Sequence, residues 1–272
     1  GVVSNFDDTC HAAFLLIARL KPTCFLPPWE GRAEKVQNRR GISAKRYRRY
    51  ALPLSAVTKK PRGEHKVMGL PEITLYESGH TRSARCRWLL GELNLPFSSK
   101  TRGDLAQDSL RIGNLPLSKL PVAVIDGRVI FESAAICTYI ADRTEGHRLG
   151  HAPGSWARGQ HDQWVSFTLT QMEAFLWNNA LNTFVLPEQD RLAQGFTQNE
   201  ALFTQSAQVL EAALGSREFL VEDRFSVTDI IVSWTVNWGA RLGLLNQAPR
   251  LLAYLERLRA RPACALAPSR QG

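Results

Sequence analysis

Methionine is scarce in this sequence: two residues in 272, with none before Met68. Cysteine is scarce as well. The five cysteines include no CxxC or CxH spacing, which argues against a disulfide framework and against a Cys/His zinc site. Reduced thiols point to a cytoplasmic protein, and no metal is expected. Long apolar runs are also missing. Nothing approaches the ~20 residues needed to span a bilayer, so no membrane partner is expected. The longest early apolar stretch, 11–20, follows two aspartates instead of basic residues and makes a poor signal peptide.

Acidic residues are few only in the first quarter of the chain. Residues 1–67 hold 14 Lys/Arg against 5 Asp/Glu, whereas residues 68–272 hold 20 of each. The net charge of +9 therefore belongs to one segment. That segment lacks a sustained helical or strand period and carries Pro27-Pro28, Gly31, Pro53, Pro61 and the basic run 45–50. It reads as a disordered or non-native upstream extension, with Met68 as the natural start. The competing readings are an organelle-targeting presequence, or a basic arm for RNA or anionic lipid in which Tyr47 and Tyr50 stack on bases. The balanced remainder gives no reason to expect nucleic acid as a partner.

What is present after Met68 is ordered in pattern. Ile73 to Tyr76 is β-branched and apolar, a strand. A polar turn comes next, then a helix with Cys86, Leu89, Leu90 and Leu93 on one face, stopped by Asn94 and Pro96. A short strand is expected near 96–99, and residues 101–114 read as a loop with a short helix. Val122 to Ile125 and Arg128 to Phe131 flank Asp126-Gly127, a two-residue hairpin turn. Glu132-Ser133 leads into a helix from Ala134 to about Asp142. Gly146, Gly150, Pro153 and Gly154 mark a linker. Beyond it the pattern is helical: one long helix through Trp164, Phe167, Met172 and Phe175 ending before Pro187, then helices at Phe203–Leu214, Ile230–Trp238 and Leu251–Leu258. Ser226 and Asp229 have capping-box spacing, with Phe225 and Ile230 placed as a staple, so Asp229 is read as a cap and not as a catalytic acid. The expected architecture is α+β/α in two domains: βαβ-ββα over 68–148, a linker at 149–154, an all-α bundle over 155–266 and a tail at 267–272.

The turn before the first helix, YESGHTRSARCRWLL, carries the chemically capable groups. Cys86 lies on the same face as the leucines and reads as a buried small hydrophobe, as does Cys137. Thr81 and Ser83 offer hydroxyls at the helix start, where one of them is expected to act as a cap.

Four segments together resemble the glutathione S-transferase family, over nearly all of 68–265. Thr81-Arg-Ser-Ala-Arg-Cys-Arg-Trp-Leu-Leu-Gly-Glu-Leu is similar to its active-site turn and first helix. Ser118-Lys-Leu-Pro-Val-Ala-Val-Ile-Asp-Gly is similar to its segment around a proline and a DG turn. Glu132-Ser-Ala-Ala-Ile resembles its ESxAI motif, and Phe225-Ser-Val-Thr-Asp-Ile its capping box in the helical domain. The resemblance is to bacterial-type members that use a serine or threonine hydroxyl and not a cysteine. It implies a thioredoxin-like first domain, glutathione as co-substrate and a homodimer active in detoxification.

By the same resemblance the Leu120–Pro121 bond is cis and the backbone at Leu120 pairs with the cysteinyl unit of glutathione. Ser133, at a helix start that attracts anions, holds the γ-glutamyl carboxylate, with Glu132 near its ammonium. Lys119 meets the glycyl carboxylate. Thr81 or Ser83 stabilises the thiolate; a serine is usual four residues before an arginine, and counting back from Arg85 gives Thr81. His80 and Arg82 contact glutathione or polarise the site. Trp164, Phe167 and Trp177 form an apolar wall for a small electrophile. The implied activity is transfer of glutathione to such an electrophile. The alternative is a non-catalytic glutathione-binding or protein-interaction module on the same scaffold.

Overall fold

The computed structural model describes residues 71–112, 119–144, 146 and 148–268. The expectations for 1–67 and for the end of the tail lie outside these residues. Strand β1 (Ile73–Tyr76) leads through the polar turn into α1 (Ser83–Glu92), and β2 (Ser98–Lys100) returns parallel to β1. Helix α2 (Arg102–Ile112) comes after it. Strands β3 (Val122–Ile125) and β4 (Arg128–Phe131) then form a hairpin, with β3 antiparallel to β1. The sheet order is β2-β1-β3-β4. Helix α3 (Ser133–Arg143) closes this thioredoxin-like domain.

The hairpin arises directly from Asp126-Gly127. Both residues take positive φ, 50° and 75°, the combination a two-residue turn requires to match strand twist. Helix α2 is longer than its weak apolar pattern implied. Its start is fixed by Thr101 and Asp104: the Thr101 N–H and hydroxyl donate to the Asp104 carboxylate at 2.7 and 2.8 Å, and the Asp104 N–H donates back at 3.3 Å. That reciprocal pairing satisfies orphan N–H groups at the helix end.

The helical domain comprises α4 (Trp156–Phe167), α5 (Ala174–Ala180), α6 (Phe196–Leu214), α7 (Val227–Arg241) and α8 (Pro249–Arg259). The stretch expected as one long helix runs on through α4 and α5, but widens into π turns at Thr168–Glu173 and Leu181–Val185. Helix α7 starts with the expected capping box of Ser226 and Asp229. Asp229 is fully buried and also accepts from the Leu220 N–H at 3.0 Å and the Tyr254 hydroxyl at 2.9 Å. It is a structural hub, as its spacing indicated.

The two domains share one apolar core. Cys86, Trp88, Leu89 and Leu90 from α1 and Ile136, Cys137 and Ile140 from α3 pack with Ile230, Ile231 and Val232 of α7. Behind α1, Arg261 makes a two-pronged ion pair with Glu92 at 2.7 and 2.8 Å and lies 3.6 Å over the Phe225 ring. No helix among the described residues is long and apolar enough to cross a membrane.

Candidate active site

The site is built on the turn between β1 and α1. Arg82, not Thr81 or Ser83, occupies the cap position, and Ser83 is the first helical residue. The capping role expected of one hydroxyl is thereby changed: both serve the turn. Ser83 is fully buried, and its Oγ accepts the Ser78 N–H at 3.2 Å. Thr81 is exposed. Its Oγ1 lies 2.6 Å from the Ser78 carbonyl and 3.1 Å from Ser83 Oγ. A carbonyl carries no proton, so Thr81 is the donor in the shorter contact. The 3.1 Å contact is then donation by Ser83. Of the two residues, only Thr81 is exposed.

Arg82 reaches into the helical domain. Its Nε pairs with Glu173 Oε1, and its guanidinium lies 4.8 Å from the Trp177 ring and 5.7 Å from the Trp234 ring. The His80 carbonyl accepts from Trp234 Nε1 at 3.1 Å, while the His80 side chain is exposed. Arg85 is buried and spends its whole fork: Nε to the Ile231 carbonyl at 2.9 Å, Nη1 to Ser133 Oγ at 3.1 Å, Nη2 to Glu173 Oε2 at 2.5 Å and to Thr235 Oγ1 at 2.9 Å. Burial works to raise the Glu173 pKa, but Arg85 and then Arg82 overcome it and hold the carboxyl at about 2.

The Leu120–Pro121 bond is cis. Lys119 is exposed, with its Nζ 5.4 Å from the Trp177 ring. The Leu120 side chain packs on Tyr76, Leu105 and Val122. Glu132 is the N-cap of α3, in an unusual backbone conformation of φ 69° and ψ 113°. Ser133 sits one residue further in, buried, as the first residue of the helix. The Glu132 carboxylate is exposed and accepts no hydrogen bond among the described residues.

Of the residues expected at the site, Arg82 and Ser133 are joined through Glu173 and Arg85, Thr81 and Ser83 bond each other and the Ser78 backbone, the His80 carbonyl is held by Trp234, and Lys119 lies near the Trp177 ring. Trp164 and Phe167 are not joined to it by any hydrogen bond or ring contact among the described residues. They meet edge to face at 5.7 Å and pack against the core. Trp234, expected only as helix packing, lies beside the Arg82 and Arg85 guanidinium groups, 5.7 and 4.8 Å from its ring. Sequence reasoning missed Glu173, and used Arg85 only as the reference point for Thr81. Arg85 had a readable signal, since it lies three residues before Trp88 and four before Leu89 on the buried face. Cys86 is fully buried, 3.8 Å from Cys137 Sγ, and burial pushes its thiol well up, the opposite of a reactive cysteine. No group of three or more side chains suited to a metal ion occurs among the described residues.

Known proteins carry the same pattern. Residues 81–143 match the family described as glutathione S-transferase, N-terminal domain. The chain is 32% identical over 134 residues to elongation factor 1-gamma of Trypanosoma cruzi, a match covering 47% of this chain but only 29% of that protein. It is 30% identical over 172 residues to a glutathione S-transferase of Arabidopsis thaliana, covering 58% of this chain and 76% of the relative. A glutathione transferase from Phanerochaete chrysosporium, solved with oxidized glutathione, superposes with a TM-score of 0.61 at 23% identity, over 71% of this chain and 93% of that one. With an exposed threonine before α1, a cis proline before β3 and a buried serine opening α3, the chain belongs to the glutathione S-transferase family.

Proposed function

We propose that the protein transfers glutathione to a small, largely apolar electrophile, in the alkyl/aryl class of transferases, with Thr81 as the donor to the glutathione thiolate. The observation that carries this reading is Thr81, an exposed hydroxyl-bearing residue immediately before the α1 N-terminus. A free thiol has a pKa of ~8.5 and is mostly protonated at neutral pH. A hydroxyl donor and a helix N-terminus both stabilise the anion. Ser83 is buried beneath Thr81 and orients it. Ser133 and the start of α3 receive the γ-glutamyl carboxylate, with the exposed Glu132 near its ammonium. Leu120 offers backbone groups, Lys119 meets the glycyl carboxylate, and His80 and Arg82 flank the thiol. Trp177 and Trp234 wall the electrophile, with Trp164 and Phe167 packed behind.

The Phanerochaete relative was solved with oxidized glutathione bound, which supports glutathione as the co-substrate here. A homodimer, a cytoplasmic location and a role in detoxification go with the same reading.

A second reading, a non-catalytic binding module, is favoured by two observations. The Thr81 proton is committed to the Ser78 carbonyl at 2.6 Å. The similarity to elongation factor 1-gamma also points outside transferase chemistry. Immobilised glutathione and a chlorodinitrobenzene probe separate the two. A transferase is retained and conjugates the probe; Thr81→Ala lowers conjugation at pH 6.5 by about 10²-fold, the scale of a lost oriented donor, and Thr81→Ser keeps it. Retention without conjugation supports the module.

A further inference from the structure

We propose that Glu173 is a positioning residue for the glutathione chemistry, holding the Thr81 turn and the start of α3 in one register from the helical domain. This rests on the reading of the site as a glutathione site. A carboxylate inside an apolar helix face is costly unless it is paired and hydrogen-bonded. Glu173 is 3% exposed and takes donors from three places: Arg82 at the cap of α1, Arg85 inside α1 and Thr235 on α7. Arg82 is the chain neighbour of Thr81. Arg85 passes the connection to Ser133 Oγ at 3.1 Å. One carboxylate is therefore one bond from the residue beside the thiolate donor and two bonds from the carboxylate-binding serine.

The backbone is shaped for this contact. Glu173 ends the π turn Thr168–Glu173. Each residue added to a helix rotates the succeeding side chains by ~100° about the axis, so the widened turn resets which of them face α1. π turns of this kind recur at functional sites. The same domain grips the turn a second time, through Trp234 Nε1 on the His80 carbonyl.

Three roles for Glu173 give three different results in Glu173→Gln, which keeps the shape and removes the charge. A positioning role lets the Thr81 turn drift, so the thiol pKa rises toward that of free glutathione. A charge-trimming role does the reverse, because two arginines are left uncompensated and the thiol pKa falls. A purely structural ion pair changes melting temperature and leaves the thiol alone.

The test uses the full chain. The acid limb of the kcat/KM profile for chlorodinitrobenzene conjugation is expected to move up by about one pH unit in Glu173→Gln. In the ligand-free protein, amide exchange at 78–85 and 132–137 is expected to accelerate together by about tenfold while 249–259 is unchanged. A limb that stays or moves down overturns the proposal, as does exchange that is unchanged or faster everywhere. If the wild type neither binds nor conjugates glutathione, the parent reading fails, and the exchange measurement still decides the positioning claim. Should Glu173→Gln not fold, Thr235→Val removes one donor from the same carboxylate, and its limb and exchange rates are read against the same expectations.

Discussion

Glu132 holds a conformation that side chains avoid. A φ of 69° with ψ of 113° is a region costing on the order of 1–3 kcal/mol for a residue with a Cβ. Glycine adopts it freely. The Glu132 carboxylate has no internal partner among the described residues, so nothing in the fold offsets that cost. Glu132→Gly is accordingly expected to raise stability by about 1 kcal/mol in urea unfolding. Glutathione affinity measured by calorimetry should fall in the same variant, and a loss of stability would assign the carboxylate to the fold instead. At this scale the sequence was informative where a residue's neighbours along the helix decide its role. Cys86 was legible as core because Leu89, Leu90 and Leu93 share its face. The contrast between Thr81 and Ser83 was not legible, since two residues of turn decide which hydroxyl meets solvent. Glu173 was invisible for a different reason: its partners are 88 and 91 positions away.

Helices α6 and α7 meet at a glycine. A Cβ placed on Gly239 would lie 2.1 Å from Phe203 Cζ, and Phe203 is fully buried. Gly239→Ala gains helix propensity but overpacks the contact, and the second effect wins. The expected net loss is about 1–3 kcal/mol in denaturant unfolding, and Phe203→Leu in the same chain should recover part of it. Element starts and stops were the most legible features, because they rest on local chemistry: Asp126-Gly127 for the hairpin, Ser226 with Asp229 for α7. The Thr101-Arg-Gly-Asp104 signal for α2 was equally local, but the apolar periodicity behind it was too weak to extend the helix. The π turns in 156–185 left no trace in the pattern, since one extra residue per turn is imposed by the surfaces the helix packs against.

At the scale of the whole molecule, two buried groups tie stability to pH in the same direction. His161 is buried between the Thr138 and Thr228 hydroxyls, at 3.0 and 2.9 Å. Burial lowers its pKa from 6.5 to about 4. The unfolded chain takes up that proton first, so stability falls as pH drops from 6.5 toward 4. Glu173 extends the loss. Its carboxyl, at about 2 against an ordinary 4.5, contributes stability that is complete above 4.5 and disappears as pH falls to 2, on the order of 3 kcal/mol. Asp229 acts the other way: burial raises its carboxyl to about 6, so the folded chain takes up that proton first and offsets part of the loss between pH 6 and 3.8 in urea midpoints measured from pH 8 to pH 3. His161→Gln is expected to make the loss between pH 6.5 and 4 shallower, with buried His151, whose pKa burial also lowers, keeping its share, and to leave the loss below pH 4.5 unchanged. His161 and Glu173 both lie where the two domains meet, so acid should act first on their junction.

The Arg261 contact has a consequence for anything attached near the end of the described chain. Helix α1 is held from the front by Glu173 and from behind by Arg261, through Glu92 and Phe225. The segment after Arg261 runs on against the same surface. A methyl added at Gly91 would lie 3.2 Å from Ala263 Cβ, Leu266 is buried, and the Ala267 carbonyl accepts from Asn237 Nδ2 at 3.2 Å. Residues 261–267 thus act as a rear latch on the helix that begins just past Thr81. A protease nick or a bulky fusion there would slacken the turn that carries Thr81 without touching any residue of that turn.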